Sequence, residues 1–117
     1  MRNFREINVW NKSKDFVKHI YEVTQRFPET ERFGLVNQIR RTSVSVPSNI
    51  AEGASRSSEK DFRRFLEIAI GSAFEVETQL LIAFDLKFLN ELNLKKLIDE
   101  IHQIQKMLNV FIQKLKA

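Results

Sequence analysis

Two histidines and a few carboxylates and serines are the side chains of this 117-residue chain with the means to do chemistry. Helical bundles that hold metal ions do so with Glu-x-x-His pairs on facing helices, so that several ligands converge. His19 has Phe16 three residues before it and therefore no such partner. His102 follows Asp99, which makes one Asp-x-x-His pair and no second. With 0 Cys there is also no thiolate ligand or nucleophile. We expect no metal site. Ser57-x-x-Lys60 has the spacing of a serine–lysine nucleophile, but neither Ser-Asp-Asn nor Lys-Thr-Gly follows it, and the same residues sit where a helix cap belongs. The 3 glycines form no phosphate-cradling loop, and no Ser-His-Asp set follows from the spacing. Glu75 and Glu77 are the last candidates for acid–base work in a bundle cleft. Glu77 shares a helix face with Ile70, Ala73, Leu80 and Phe84, where a carboxylate is either paired or partly desolvated. The expectation is no catalytic residue, no cofactor and no enzyme.

Positioning these residues falls to four segments of helical period. The first runs from about Asn8, read as its N-cap, to Phe27-Pro28, with Val9, Phe16, Ile20, Val23 and Phe27 as its apolar row. The second runs from about Thr30 to Ala54. Its apolar positions Val36, Ile39, Ser43, Val46, Ile50 and Ala54 keep one phase on both sides of Pro47, so a single helix kinked near Pro47 is expected. The third opens at Ser58, capping toward Asp61, and extends to about Leu89. The fourth starts near Asn93 as N-cap and carries the seam Leu94, Leu97, Ile101, Ile104, Leu108, Phe111, Leu115. Short connections make neighbours antiparallel, which predicts an all-α, up-down-up-down four-helix bundle filling residues 1–117 as one domain. Only 3 Gly and 2 Pro argue against an all-β fold with its many turns. The longest apolar run, Leu80 to Phe84, is far short of the roughly 20 residues that cross a bilayer, and Met1 to Glu6 lacks the apolar core of a signal peptide. No membrane association and a cytoplasmic setting are expected, in keeping with the absence of cysteine.

Two surfaces are unusual for a simple bundle. From Leu80 to Leu92 the apolar side chains point nearly all round the third helix, more than one small monomer covers, which predicts self-association. On the second helix, Gln38, Arg41, Ser45, Ser48, Asn49, Glu52 and Arg56 form a polar stripe with no Lys, built from small residues that are mediocre in helix interiors. Such a stripe, with Arg40 counted in it and Glu75 and Glu77 of the third helix beside it, permits close packing against another subunit or a ligand groove. An antiparallel hairpin turning about residue 56 pairs Arg40 and Arg41 with the region of Glu75, and Glu52 with that of Arg64, so ion pairs Arg41–Glu75 and Glu52–Arg64, between helices or between subunits, are expected.

The charge is mildly positive: 19 Lys+Arg against 15 Asp+Glu give +4, with a pI near 9.6. Residues 57–90 carry four Lys/Arg against six Asp/Glu, so the positive excess lies on the other three segments. Arg2, Arg5, Lys12, Lys14 and Lys18, with Arg63 and Arg64 expected at the same end of the bundle, are the candidate nucleic-acid-binding residues. No helix-turn-helix or interleaved basic–aromatic motif stands in the sequence, so base-specific reading is not expected.

The central residues carry a pattern. The run Phe27-Pro28-x-x-Glu31-x-x-Gly34-Leu35-x-x-Gln38-x-Arg40-Arg41-x-Ser43-Val44-Ser45-Val46-Pro47-Ser48-Asn49-Ile50-Ala51-Glu52-Gly53 resembles the signature of the four-helix-bundle proteins encoded in 23S ribosomal RNA intervening sequences. Val9-Trp10, Phe65-Leu66 and Ala69-x-Gly71-Ser72-x-x-Glu75-x-Glu77-Thr78 extend the likeness over about Val9 to Phe84. Thr42 and Ser13 stand where alanine is common, and Ala73-Phe74 reverses a usual large-small order. The resemblance implies a bacterial bundle that assembles as a ring-like homopentamer with no assigned catalytic activity. The fold is also similar to the accessory variability protein of diversity-generating retroelements, a basic pentamer that binds nucleic acid and a reverse transcriptase. Such a pentamer of +4 subunits totals about +20, and phosphate binding grows with the number of charges neutralised. The function expected is a non-enzymatic, oligomeric protein that binds structured RNA or DNA through basic contacts. The alternative is a scaffold whose partner is another protein.

Overall fold

Four apolar stripes become four helices in the computed structural model, which describes residues 1–116. They are α1 (Asn8–Thr24), α2 (Leu35–Ala54), α3 (Glu59–Asp85) and α4 (Glu91–Lys116), with single 3-10 turns at Phe4–Glu6 and Glu29–Glu31. Contacts at both ends of each pair set their directions. Arg2 meets Ala54 and Arg40 meets Thr24 between α1 and α2, while Gly53 faces Phe62 and Thr42 meets Gln79 between α2 and α3. Phe62 meets Phe111 edge-on and Glu77 meets His102 between α3 and α4. In each pair the numbers rise along one helix as they fall along the other. Phe16 and Ile20 of α1, Ile39 and Ile50 of α2, Leu66 and Leu80 of α3, and Ile101, Ile104 and Leu108 of α4 are fully buried in one core.

The termini of the helices differ from the sequence reading where a local hydrogen bond competes. Asn8 does not cap α1; Ile7, the residue after the first 3-10 turn, stands at that position without a side-chain bond. Asn11 instead reaches back to the carbonyls of Arg5 and Ile7, at 2.9 and 3.2 Å. The second helix starts at Leu35 rather than Thr30, because residues 29–31 wind as a tight turn and Gly34 leaves helical geometry. It then runs unbroken through the buried Pro47. Ser58 caps α3 as expected, accepting from the Asp61 amide at 3.1 Å.

α3 ends at Asp85, four residues before the expected Leu89. Lys87 adopts a left-handed φ of 65°, and the Phe88 and Lys87 amides donate back to Ala83 and Phe84, both at 2.9 Å. That is the Schellman pattern, here with a lysine where glycine is usual. The α4 cap is Asn90, not Asn93: its Oδ1 accepts from the Asn93 amide at 2.7 Å.

Of the three glycines, Gly53 is the one pressed hardest by its surroundings. A Cβ built there would lie 2.8 Å from both Phe62 Cδ1 and Phe65 Cβ, and 3.2 Å from the Phe62 carbonyl. Glycine is therefore needed for space, not for an unusual φ. Gly53→Ala forces α2 and α3 apart and should lower stability by about 1–3 kcal/mol, the usual range for overpacking, despite alanine's better helix propensity. Urea denaturation read by far-UV circular dichroism checks the sign.

Candidate interaction face and basic end

The polar stripe of α2 is present as a surface, but its Ser45 and Asn49, with Thr42 beside them, turn back on their own helix. Thr42 donates to the Gln38 carbonyl at 2.8 Å, Ser45 to Thr42 at 2.7 Å, and Asn49 to Ser45 at 2.8 Å. Bonds of this kind keep short side chains flat against the backbone. Arg40 does not belong to the stripe. It points toward α1, donating from Nε to Thr24 Oγ1 at 2.9 Å with its guanidinium 4.4 Å from the centre of the Tyr21 ring. The ion pairs expected from the hairpin are not formed within the chain. Glu52 pairs with Arg56 of its own helix at 3.5 Å, Arg64 lies over Phe65, and Arg41 and Glu75 form no ion pair among the described residues. At the far end of the α2–α3 pair Thr42 meets Gln79, about two turns further along α3 than a symmetric turn about residue 56 places it. Near the turn Gly53 faces Phe62, close to that placement, and Glu52 is held by Arg56 of its own helix. Gln79 Oε1 is buried at this seam without a hydrogen-bond partner.

The outward face of α3 carries exposed apolar side chains among the exposed Glu67, Glu75 and Thr78. Ile68, Phe74, Leu81 and Ile82 are all exposed, Phe74 to 54%. At the centre of this face is Gly71, whose missing Cβ would meet nothing within 4 Å. A mid-helix glycine costs roughly 0.5–1 kcal/mol relative to alanine, and nothing inside the subunit requires it. Of the surplus read between Leu80 and Leu92, Leu80, Ala83 and Leu89 are buried, whereas Leu81, Ile82, Phe84, Leu86 and Leu92 remain exposed.

The two histidines tie α4 to its neighbours. His19 Nδ1 lies 2.7 Å from Glu100 Oε2, joining α1 to α4. His102 Nε2 lies 3.0 Å from Glu77 Oε2, and Gln105 Nε2 donates to Glu77 Oε1 at 2.7 Å. Glu77 is thus paired, one of the two outcomes its apolar face allowed. Burial pushes the Glu77 carboxyl up, but the bonds from Gln105 and His102 outweigh it and hold the group below its ordinary value. Asp99 takes no part in this network. Among the described residues no three His, Asp or Glu side chains gather in a way that could hold a metal ion, and none of their helices is long and apolar enough to cross a membrane.

Cations and aromatic rings interleave at the end of the bundle that holds the N-terminus and the α2–α3 turn. Arg56 and Arg64 both lie over the Phe65 ring, at 4.9 and 5.1 Å. Arg2 lies over Phe62 and Phe111 at 5.2 and 5.8 Å and also pairs with Glu59 at 3.1 Å. Arg5 covers Phe4, whose ring meets Trp10 edge-on, and Lys14 covers Trp10. Arg5 with Phe4, Arg64 with Phe65 and Lys14 with Trp10 are near neighbours in sequence, whereas Arg2 meets Phe62 and Phe111 only after the helices pack. Arg2, Arg5, Lys14, Arg63 and Arg64 are therefore near this end, with Arg63 beside Glu67 at 3.7 Å. Lys18 follows Lys14 by one turn, further along the side of α1. Lys12 is half-buried on the face of α1 that carries His19 toward α4, apart from the others. Arg56, first read as part of the stripe, joins the basic group.

A family model described as 23S rRNA-intervening sequence protein matches residues 5–110. The crystal structure of a protein of unknown function from the S23 ribosomal protein family of Bacteroides thetaiotaomicron is similar with a TM-score of 0.83 and 26% sequence identity, covering 90% of this chain and 95% of that one. No curated protein matches the chain.

Two substitutions test the face and the network. Gly71→Ala should raise the stability of the isolated subunit by roughly 0.5–1 kcal/mol, opposite in sign to Gly53→Ala, since its methyl enters open space. Thermal unfolding of both variants side by side gives the comparison. Glu77→Ala removes the acceptor of the Gln105 amide's short bond, leaving it only the Ala73 carbonyl at 3.4 Å, and should cost about 1–3 kcal/mol. Because the folded value of Glu77 is depressed, its contribution is complete above the unfolded carboxylate value and is lost as pH falls through the folded one. The stability gap between wild type and Glu77→Gln, followed by urea titration across acid pH, should narrow in that direction.

Proposed function

This chain belongs to the 23S rRNA-intervening sequence protein family, and we propose that it is a non-enzymatic, oligomeric protein that binds structured RNA through phosphate contacts. The observation that carries this reading is the interleaved basic–aromatic end. A guanidinium stacked on a ring is held in place while its N–H edge stays open to solvent, and that edge matches a phosphate in geometry and charge. The neighbouring carboxylates are single and exposed: the side chains of Arg2 and Glu59 are 44% and 66% accessible, those of Arg56 and Glu52 43% and 55%. Exposed pairs of this kind are worth ~1 kcal/mol or less, so a phosphate displaces them at little cost. Arg2, Arg56, Arg63 and Arg64 are the residues proposed to make the contacts, with Arg5, Lys14 and Lys18 extending the surface along α1. Repetition of the end in an assembly multiplies the charge. The uneven spread of charge, with α3 the one acidic helix, favours contact at the end and not along that helix.

The exposed apolar face of α3 supports the second reading, in which the partner is a protein and no nucleic acid is bound. A salt titration separates the two. Fluorescence anisotropy with a labelled RNA hairpin should give tight binding at about 50 mM salt and a loss of on the order of 10³-fold or more by 200 mM if six or more phosphates are contacted. The double variant Arg56→Ala, Arg64→Ala should weaken binding and reduce the salt slope by roughly one for each contact removed. No binding to hairpin RNA even at low salt overturns the proposal and leaves the scaffold.

A further inference from the structure

A groove of about 480 Å³ runs between the start of α1 and the last turns of α4. Met107, Val110 and Phe111 of α4 line it with Ile7, and Lys106 and Lys114 add the charge. No acidic side chain lines it among the described residues. The core does not account for its apolar residues. Ile101, Ile104 and Leu108 form the buried seam of α4, whereas Val110, nine residues after Ile101, lies about 180° round the helix from it. Val110 is 53% exposed, and Met107 and Phe111 are half-buried. Both lysines are exposed, and neither forms an ion pair among the described residues. A concave apolar surface with a few charged groups is the usual build of a small-molecule site, and the volume falls within the roughly 300–1,000 Å³ such sites span.

We propose that this groove binds a single-chain anionic amphiphile, a long-chain carboxylate, with its hydrocarbon against Ile7, Met107 and Val110 and its head on one of the two lysines. Lys106 and Lys114 are eight residues apart, about 12 Å along α4, so a cation stands at each end of the apolar stretch. A lysine suits the task because its flexible stem lies along hydrocarbon while its ammonium stays in water. Burial of the chain supplies most of the affinity, and the lysines select the sign of the head. A helix of a partner protein fits less well. A 12 Å length of helix, 10–12 Å across, occupies on the order of 1,000 Å³, about twice the groove. None of the arginines proposed to contact RNA lines the groove, so this inference stands apart from that reading.

The two methionines of the chain make the test local, because Met107 lines the groove and Met1 does not. With both methyl groups carbon-13 labelled, dodecanoate below its micelle concentration should shift the Met107 signal saturably and leave that of Met1 in place. Decanoate, shorter by two methylenes, should bind about fifteenfold more weakly, at about fourfold for each methylene buried. Dodecyltrimethylammonium carries the same chain on a cationic head and should bind about tenfold more weakly or worse. Lys106→Glu with Lys114→Glu should reverse the preference between the two heads, and Val110→Asp should weaken dodecanoate by about tenfold. These side chains are exposed, so far-UV circular dichroism should find the helices unchanged in both variants. A Met107 signal unmoved by dodecanoate at about 1 mM, or moved equally by the two heads, would overturn the site. So would a shift caused by phosphatidylglycerol vesicles or by an acidic helical peptide with none from monomeric dodecanoate, which would assign the groove to a membrane surface or to a protein.

Discussion

The close approach at Gly53 is the constraint from which most of the surface follows. With no Cβ there, Phe62 and Phe65 press on the α2 backbone, and the α2–α3 contact becomes the most extensive in the bundle. That contact carries Phe62 and Phe65 against α2 at one end and Gln79 against Thr42 at the other. It also leaves Phe65 between Arg56 and Arg64. A larger residue at position 53 moves all of these together.

Once α2 and α3 are locked, α4 is held by a different kind of interaction. Its apolar seam packs on the core, and polar ties to α1 and α3 flank that seam: His19 with Glu100 on one side, and Glu77 with His102 and Gln105 on the other. Half-buried charged groups are tolerated there because each carboxylate has a donor within hydrogen-bond reach. The outer surface then divides by physics. One end concentrates cations steadied by aromatic rings, suited to an anion. The α3 face and the α1–α4 groove carry exposed apolar surface.

How much of this was legible depended on whether the signal was local. Helix number and type, the passage of α2 through Pro47, and the Ser58 cap were readable because each rests on residues within a turn or two of one another. Boundaries were read less well. Asn8 and Asn93 look like caps by type, but it is Asn90 that accepts from the Asn93 amide, while Asn11 donates to the carbonyls of Arg5 and Ile7, and residue type alone does not say which of several nearby asparagines makes which bond. The early end of α3 turns on Lys87 entering the left-handed region, which a lysine does not advertise.

By itself, then, the sequence determined the periodicity, the charge and the excess of apolar residues on α3, since all three are properties of type and spacing along one chain. Only the tertiary structure decided which rings lie under which arginines, that Arg40 faces α1 and not the stripe, and that Glu77 is partnered by Gln105 and His102. It also separated Gly53 from Gly71, two glycines of the same kind in similar helices, one pressed against phenylalanines and the other open to solvent. The reason is distance along the chain: Arg2 and Phe111, or Glu77 and His102, become neighbours only after the helices have packed, and that packing is set by the sum of the core and not by any local motif.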